Sequence, residues 1–172
     1  MKVYKDIISG DEMFMDTYTY ETIHDAVYRV EGKYITRSKV GELVLDGANP
    51  SAEDAEEATD DDNESGVDVV LNMRLTETGF SDKKAYISYL KDYMKAICTK
   101  LAETSPDQVD TFKNGSNAFI KEKIGKFKDM QFFQGEGMNP DGMVAIMLYE
   151  DKDGSELPFM YFFKHGLEEE KL

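Results

Sequence analysis

Apolar and polar residues alternate or bunch in short runs through the first third of the chain: VYKDII, MFMDTYTY and AVYRVEGKYITR. Aromatic and β-branched residues dominate these runs, and Ser-Gly-Asp and Glu-Gly-Lys separate them, a pattern that predicts short antiparallel strands. Glu31-Gly32-Lys33 is expected to close a hairpin between Tyr28–Val30 and Tyr34–Thr36. VDVVLNMRL predicts a further strand. From Ser81 the period changes. Tyr86, Leu90, Tyr93, Ile97 and Leu101 recur at helical spacing, with Lys83, Lys84, Lys91 and Lys95 off that stripe. ETSPDQ ends this helix and starts another: Ser105 can cap, Pro106 suits a first helical position and Gln108 completes a capping box. Val109, Phe112, Phe119 or Ile120, Ile124 and Phe127 continue the second helix, with Asn114-Gly115 a weak point inside it. The short turn predicts an antiparallel helical hairpin over residues 81–128. Strands return in MQFF, MVAIMLYE and LPFMYFF, with Asp151-Lys152-Asp153-Gly154 as a turn, and the chain closes on a charged tail, LEEEKL. The order of elements is that of an α+β protein.

One segment breaks the pattern. From Glu53 to Glu64 there are eight acids and no base. Charge of that density with so little apolar surface predicts a mobile acidic loop over residues 37–66. At 172 residues, the remainder reads as one domain, 1–172.

Charge and composition narrow the function. The net charge is -15, which disfavours a general nucleic-acid binder. Residues 83–128 run the other way: ten Lys against five Asp or Glu give +5, leaving -20 for the rest. Lys83, Lys84, Lys91, Lys95, Lys100, Lys121, Lys123 and Lys126, with Lys113 and Lys128, therefore make a basic hairpin on an acidic body. Such a field attracts an acidic partner. One cysteine, Cys98, excludes an internal disulfide and any zinc site built from several thiolates. The N-terminal MKVYKDIISGDEMFMD lacks the apolar run of a signal peptide, and no segment reaches the roughly 20 apolar residues of a membrane span. A soluble, cytoplasmic protein without membrane contact is expected.

GEGMNPDG at 135–142 begins like a nucleotide-phosphate loop, but Pro140 stands where the last glycine of that motif belongs and a strand-like run follows. It reads as a hairpin connection. DDNESGVDVVLN from Asp61 carries half of an EF-hand, with Asp61, Asn63, Ser65 and Gly66 in place but Asn72 where the bidentate glutamate belongs. Weak, diffuse calcium association with Asp60, Asp61, Asp62 and Glu64 is the reading these residues support. His24 and His165 could serve Cys98 as bases, but nothing local to them supports a nucleophile, and no catalytic residue is assigned.

QFFQGEGMNPDGMVAIMLYEDKDG and DGANPSAED, with DIISGDEMF, GVDVVLN, KAYISYLKDYMKAI and FMYFFKHGLEEEKL in order around them, resemble the translationally controlled tumour protein family over nearly the whole chain. The resemblance implies a β-tent of small antiparallel sheets carrying a long helical hairpin and a mobile acidic loop. That tent is similar to the Rab-binding zinc chaperones and the B-type methionine sulfoxide reductases, whose cysteine chemistry a chain with Cys98 alone does not carry. The resemblance also implies a multifunctional, mostly monomeric regulatory protein that binds calcium, tubulin and microtubules. Further implied partners are translation elongation factor and anti-apoptotic proteins of the Bcl type, and nuclear or exported pools are implied besides the cytoplasmic one. Glu12, inside SGDEMF, is implied in engaging a small GTPase of the Rheb type and its guanine nucleotide exchange; a carboxylate there would compete for the GTPase's magnesium ion or phosphate-loop lysine. An enzyme of the sulfoxide-reductase type is the alternative from another class, and the missing second cysteine separates the two.

Overall fold

The computed structural model describes residues 1–38 and 63–172. Among these described residues, three antiparallel sheets and a helical hairpin share one core. The first sheet has the order β11-β1-β2, from Leu167–Lys171, Lys2–Asp6 and Glu12–Met15. The second has the order β3-β4-β10-β9-β8-β7, from Tyr20–Ile23, Val27–Glu31, Ser155–Phe163, Ala145–Lys152, Gln131–Gln134 and Thr76–Thr78. The third pairs β5 (Tyr34–Ser38) with β6 (Asn63–Val67). α1 is Asp68–Asn72, α2 is Lys83–Thr104 and α3 is Val109–Lys123, and a 3-10 turn over Ile124–Asp129 follows α3. Among the described residues no helix is long and apolar enough to cross a membrane.

The apolar stripe read from the sequence is the buried face of α2: Tyr86, Leu90, Tyr93, Ile97 and Leu101. Asp82 caps its start, accepting from the Ala85 N–H at 2.8 Å. Phe112, Phe119 and Ile120 are the buried anchors of α3. The core that receives them is aromatic: Phe119 lies on Tyr161 with centroids 5.0 Å apart, and Tyr86 on Phe132 at 5.1 Å. The Asp153-Gly154 turn joins β9 to β10 with both residues at positive φ, as its composition predicted. GEGMNPDG connects the paired strands β8 and β9.

Five expectations need correction. Tyr28–Val30 and Tyr34–Thr36 do not form a hairpin: β4 lies between β3 and β10, whereas β5 pairs with β6. Long-range bonds divide the two at the turn. The Gly32 N–H donates to the Pro158 carbonyl at 2.8 Å, and the Lys33 carbonyl accepts from the Asp68 N–H at 2.8 Å. VDVVLNMRL is not one strand, because β6 stops at Val67 and α1 begins at Asp68, whose carboxylate accepts from the Lys33 and Val69 N–H groups. Of the residues 37–66 expected to be a mobile acidic loop, 37–38 and 63–66 are paired strand, and 39–62 lie outside the described residues. The capping box is absent, since the Gln108 side chain bonds Asp107 and His165 and not the helix start. Finally, the charged tail is strand β11. It lies along β1 in the register Lys2↔Lys171 to Asp6↔Leu167, with Lys2–Glu169 and Lys5–Glu170 ion pairs across the seam.

Candidate functional site

Spacing decides which hairpin lysines act together. Lys84, Lys91 and Lys95 lie at i, i+7 and i+11, on the side of α2 opposite its buried stripe. The row extends roughly 16 Å at about 1.5 Å per residue. Lys83 joins its start, where Lys83, Lys84, Ile87, Ser88 and Lys91 line a shallow depression of about 350 Å³. Lys100 faces elsewhere. It lines a cleft of about 620 Å³ between the end of α2 and β11, together with Lys164, His165, Glu103, Glu168 and Glu169. Lys121 is exposed on α3, as are Lys126 and Lys128 on the following 3-10 turn and Lys113 on α3.

Lys123 is the exception among the ten. Its ammonium lies 2.9 Å from Glu150 Oε2 and 5.5 Å from the Tyr161 ring centre, with 12% of its side chain exposed. Arg29 reaches the other Glu150 oxygen at 3.2 Å, stacks its guanidinium 3.6 Å over Phe159, and the Tyr161 hydroxyl donates to the same carboxylate. Burial alone would raise the Glu150 carboxyl. Hydrogen bonds from Tyr161 and Lys123 and the charges of Lys123 and Arg29 outweigh it and hold the group below the ordinary carboxylate range. Lys123 therefore fastens α3 to the large sheet. Among the described residues the other nine hairpin lysines make no ion pair.

Glu12 opens β2 and is exposed. It lines a recess of about 370 Å³ shared with Lys5, Asp11, Arg74 and Glu136. The recess is where three distant stretches meet: SGDEM, the end of α1, and the GEGMNPDG connection. Two aspartates make that meeting. Asp6, 2% exposed, accepts from the Ile8 N–H, the Ser9 hydroxyl and, across the fold, the Met143 N–H at 2.7 Å. Asp11 accepts from the Gly137 N–H at 3.1 Å and packs so closely on Gly135 that a side chain there would collide with it. Neither Asp6 nor Arg74 stood out in the sequence. Asp6 is one acid among 35 Asp and Glu, and Arg74 lay in a stretch read as strand.

The calcium candidates divide. Asp60, Asp61 and Asp62 lie outside the described residues. Glu64 is on β6 and is paired with Arg37 at 2.7 Å; Arg37 also donates to Asn72 and to the Leu71 carbonyl. Among the described residues no three His, Cys, Asp or Glu side chains converge on a point that could hold a metal. Cys98 is half-buried on α2, where burial pushes its thiol up against the opposing charge of Lys113. Both candidate bases are engaged elsewhere: the His24 ring with Glu122 at 2.7 Å and the His165 ring with Gln108 at 3.0 Å.

Comparisons with known proteins are consistent along the whole chain. The family model for translationally controlled tumour protein matches residues 1–168. A translationally-controlled tumor protein homolog of Drosophila melanogaster is 58% identical over 172 residues, covering 99% of each chain. Among solved structures, the translationally controlled tumor-associated protein of Schizosaccharomyces pombe superposes with a TM-score of 0.78 at 44% identity, covering 100% of both chains. The family protein of Caenorhabditis elegans superposes with a TM-score of 0.72 at 36% identity, covering 100% of this chain and 99% of that one.

Proposed function

The chain belongs to the translationally controlled tumour protein family, and on that footing we propose that it is a regulatory binding protein whose α2 lysine row docks acidic segments such as the tails of tubulin. One observation carries the reading. Lys84, Lys91 and Lys95 recur at i, i+7 and i+11 along one exposed helix face, with no carboxylate ion-paired to them among the described residues. An acidic, extended segment would meet all three without a local carboxylate to displace. Exposed pairs of this kind contribute about 0.5 kcal/mol each, so the triple charge reversal Lys84→Glu/Lys91→Glu/Lys95→Glu should weaken microtubule co-sedimentation about 10-fold at low salt. The wild-type interaction should fade as ionic strength rises. Lys100→Glu, in the separate cleft, serves as the control. Co-sedimentation indifferent to both the triple variant and salt would remove the reading.

A second surface is proposed around Glu12, engaging a small GTPase of the Rheb type. The recess beside Glu12 supports it: it is polar, charged in both signs and framed by rigid strand and turn backbone. Calcium is proposed only as a weak ligand of the acidic segment at Asp60–Asp62. Glu64 would have to give up its Arg37 partner to contribute. Sulfoxide reduction is the less supported alternative, because the chain's only cysteine carries a thiol raised by burial and so holds little thiolate near neutral pH.

A further inference from the structure

Arg74 occupies a position where a glycine would be unstrained. α1 ends in a Schellman turn: the Leu75 N–H donates to the Val70 carbonyl at 3.0 Å and the Arg74 N–H to the Leu71 carbonyl at 3.3 Å. The residue between these bonds must be left-handed, and Arg74 has φ of 57°. Glycine adopts that conformation without steric cost, whereas a side chain with a Cβ does not. The arginine gains little locally in exchange. Its guanidinium lies 3.7 Å from Glu136, with 75% and 62% of the two side chains exposed, a pair that contributes almost nothing to folding. A strained, exposed and weakly tied arginine thus lines the same recess as Glu12.

We propose that Arg74 is the second pole of the Glu12 surface: Glu12 takes a cation of the partner and Arg74 takes a carboxylate next to it. The inference rests on the reading of this recess as the GTPase surface, and it names what that GTPase must present. The carboxylate is an Asp or Glu side chain of the partner protein. A nucleotide phosphate chain brings two or more negative charges beside Asp11, Glu12 and Glu136, and with Lys5 paired to Glu170 the single charge of Arg74 offsets one carboxylate but not such a chain. A guanidinium can hold a single carboxylate through two parallel bonds, and Arg74, tied only by its exposed 3.7 Å pair with Glu136, can turn to one.

The test measures binding of the full-length chain to the small GTPase by calorimetry, with thermal unfolding in parallel. Arg74→Gly should bind about 10-fold more weakly, while its Tm rises by about 2 °C because the turn is relieved. Opposite signs in the two readouts separate docking from fold integrity. Arg74→Glu should lose more, and reversing one Asp or Glu of the GTPase to Lys should restore it. Wild-type binding that Arg74→Gly leaves unchanged overturns the inference and leaves the GTPase reading standing. A wild type that does not bind the GTPase, or a Glu12→Val protein that binds equally well, removes that reading and the inference with it. An Arg74 effect seen with nucleotide-loaded GTPase and absent with the nucleotide-free form assigns the anion to phosphate and overturns the carboxylate.

Discussion

Gly115→Ala should destabilise the protein although it improves the helix. Alanine is favoured over glycine inside a helix by about 1 kcal/mol. At this position α3 rests on the three-residue turn between β3 and β4, residues 24–26, where His24 and Asp25 are both left-handed, with φ of 51° and 57°. A methyl on residue 115 would sit 2.5 Å from the Ala26 Cβ and nearer still to the His24 carbonyl oxygen. The obstruction is mostly backbone and cannot swing away. Ala26 is fully buried, its carbonyl accepts from the Lys164 N–H at 2.9 Å and its N–H donates to the Ile23 carbonyl at 3.1 Å. Overpacking of this kind costs about 1–3 kcal/mol, and a clash with fixed backbone belongs at the upper end. Set against the propensity gain, the net loss is about 2 kcal/mol. In a chain of this length it lowers Tm by roughly 4–8 °C. Urea unfolding followed by circular dichroism gives the same quantity as a lowered midpoint at unchanged slope. Asn117→Ala, exposed on the same helix, isolates the propensity term and should raise stability by about 0.5 kcal/mol. A Gly115→Ala protein as stable as wild type, with Asn117→Ala behaving as expected, would refute the close-packing argument.

Glu150→Gln should cost about 2–3 kcal/mol, because Lys123 and Arg29 are left facing each other without their shared carboxylate; the figure stays below that for a fully buried pair since 14% of Glu150 remains exposed. The Glu150 carboxyl is depressed in the folded state, so its contribution is complete above the unfolded value of about 4.3 and disappears as pH falls through the lower folded value. The stability gap between wild type and Glu150→Gln should accordingly be flat from pH 7 to about 5 and close in acid; a gap that widened there would reverse the assigned sign. Asp6→Ala strands the buried Met143 N–H together with the Ile8 and Ser9 donors and should lose about 3 kcal/mol, with Asp6→Asn milder. Hydrogen exchange at the Met143 amide should quicken in step with that loss, and an unchanged rate would dissociate Asp6 from the connection it holds.

What the sequence disclosed was whatever depends on near neighbours along the chain. The α2 stripe and the two late strand runs with a turn between them follow from periodicity and turn chemistry, though β9 is Ala145–Lys152 and takes in Asp151 and Lys152, which were read as turn. The misreadings involve partners far away in sequence. A short apolar run such as VDVVLN fits a strand or a helix equally, and the choice was made by Lys33, 35 residues upstream of Asp68. LEEEK has no strand alternation and is held by β1 at the opposite end of the chain. Gly115 read as a flaw in a helix because its reason, the His24 carbonyl, is a tertiary one. The lysine excess was legible as a sum, but its division into a row, a cleft residue and a fastener appeared only in three dimensions. The same holds for Arg74, whose significance is a backbone angle.

The seam between β1 and β11 also decides how the molecule responds to force. Residues 1 and 172 lie side by side, with the Leu172 N–H on the Met1 carbonyl at 3.0 Å. A load applied between them, as with a bead tethered at one and a surface at the other, opens the ladder like a zipper. Each rung from Lys2–Lys171 inward carries the tension in turn rather than sharing it. Rupture should therefore come at low force and in small steps, and the peeling halts where Asp6 ties the strand to the connection beneath.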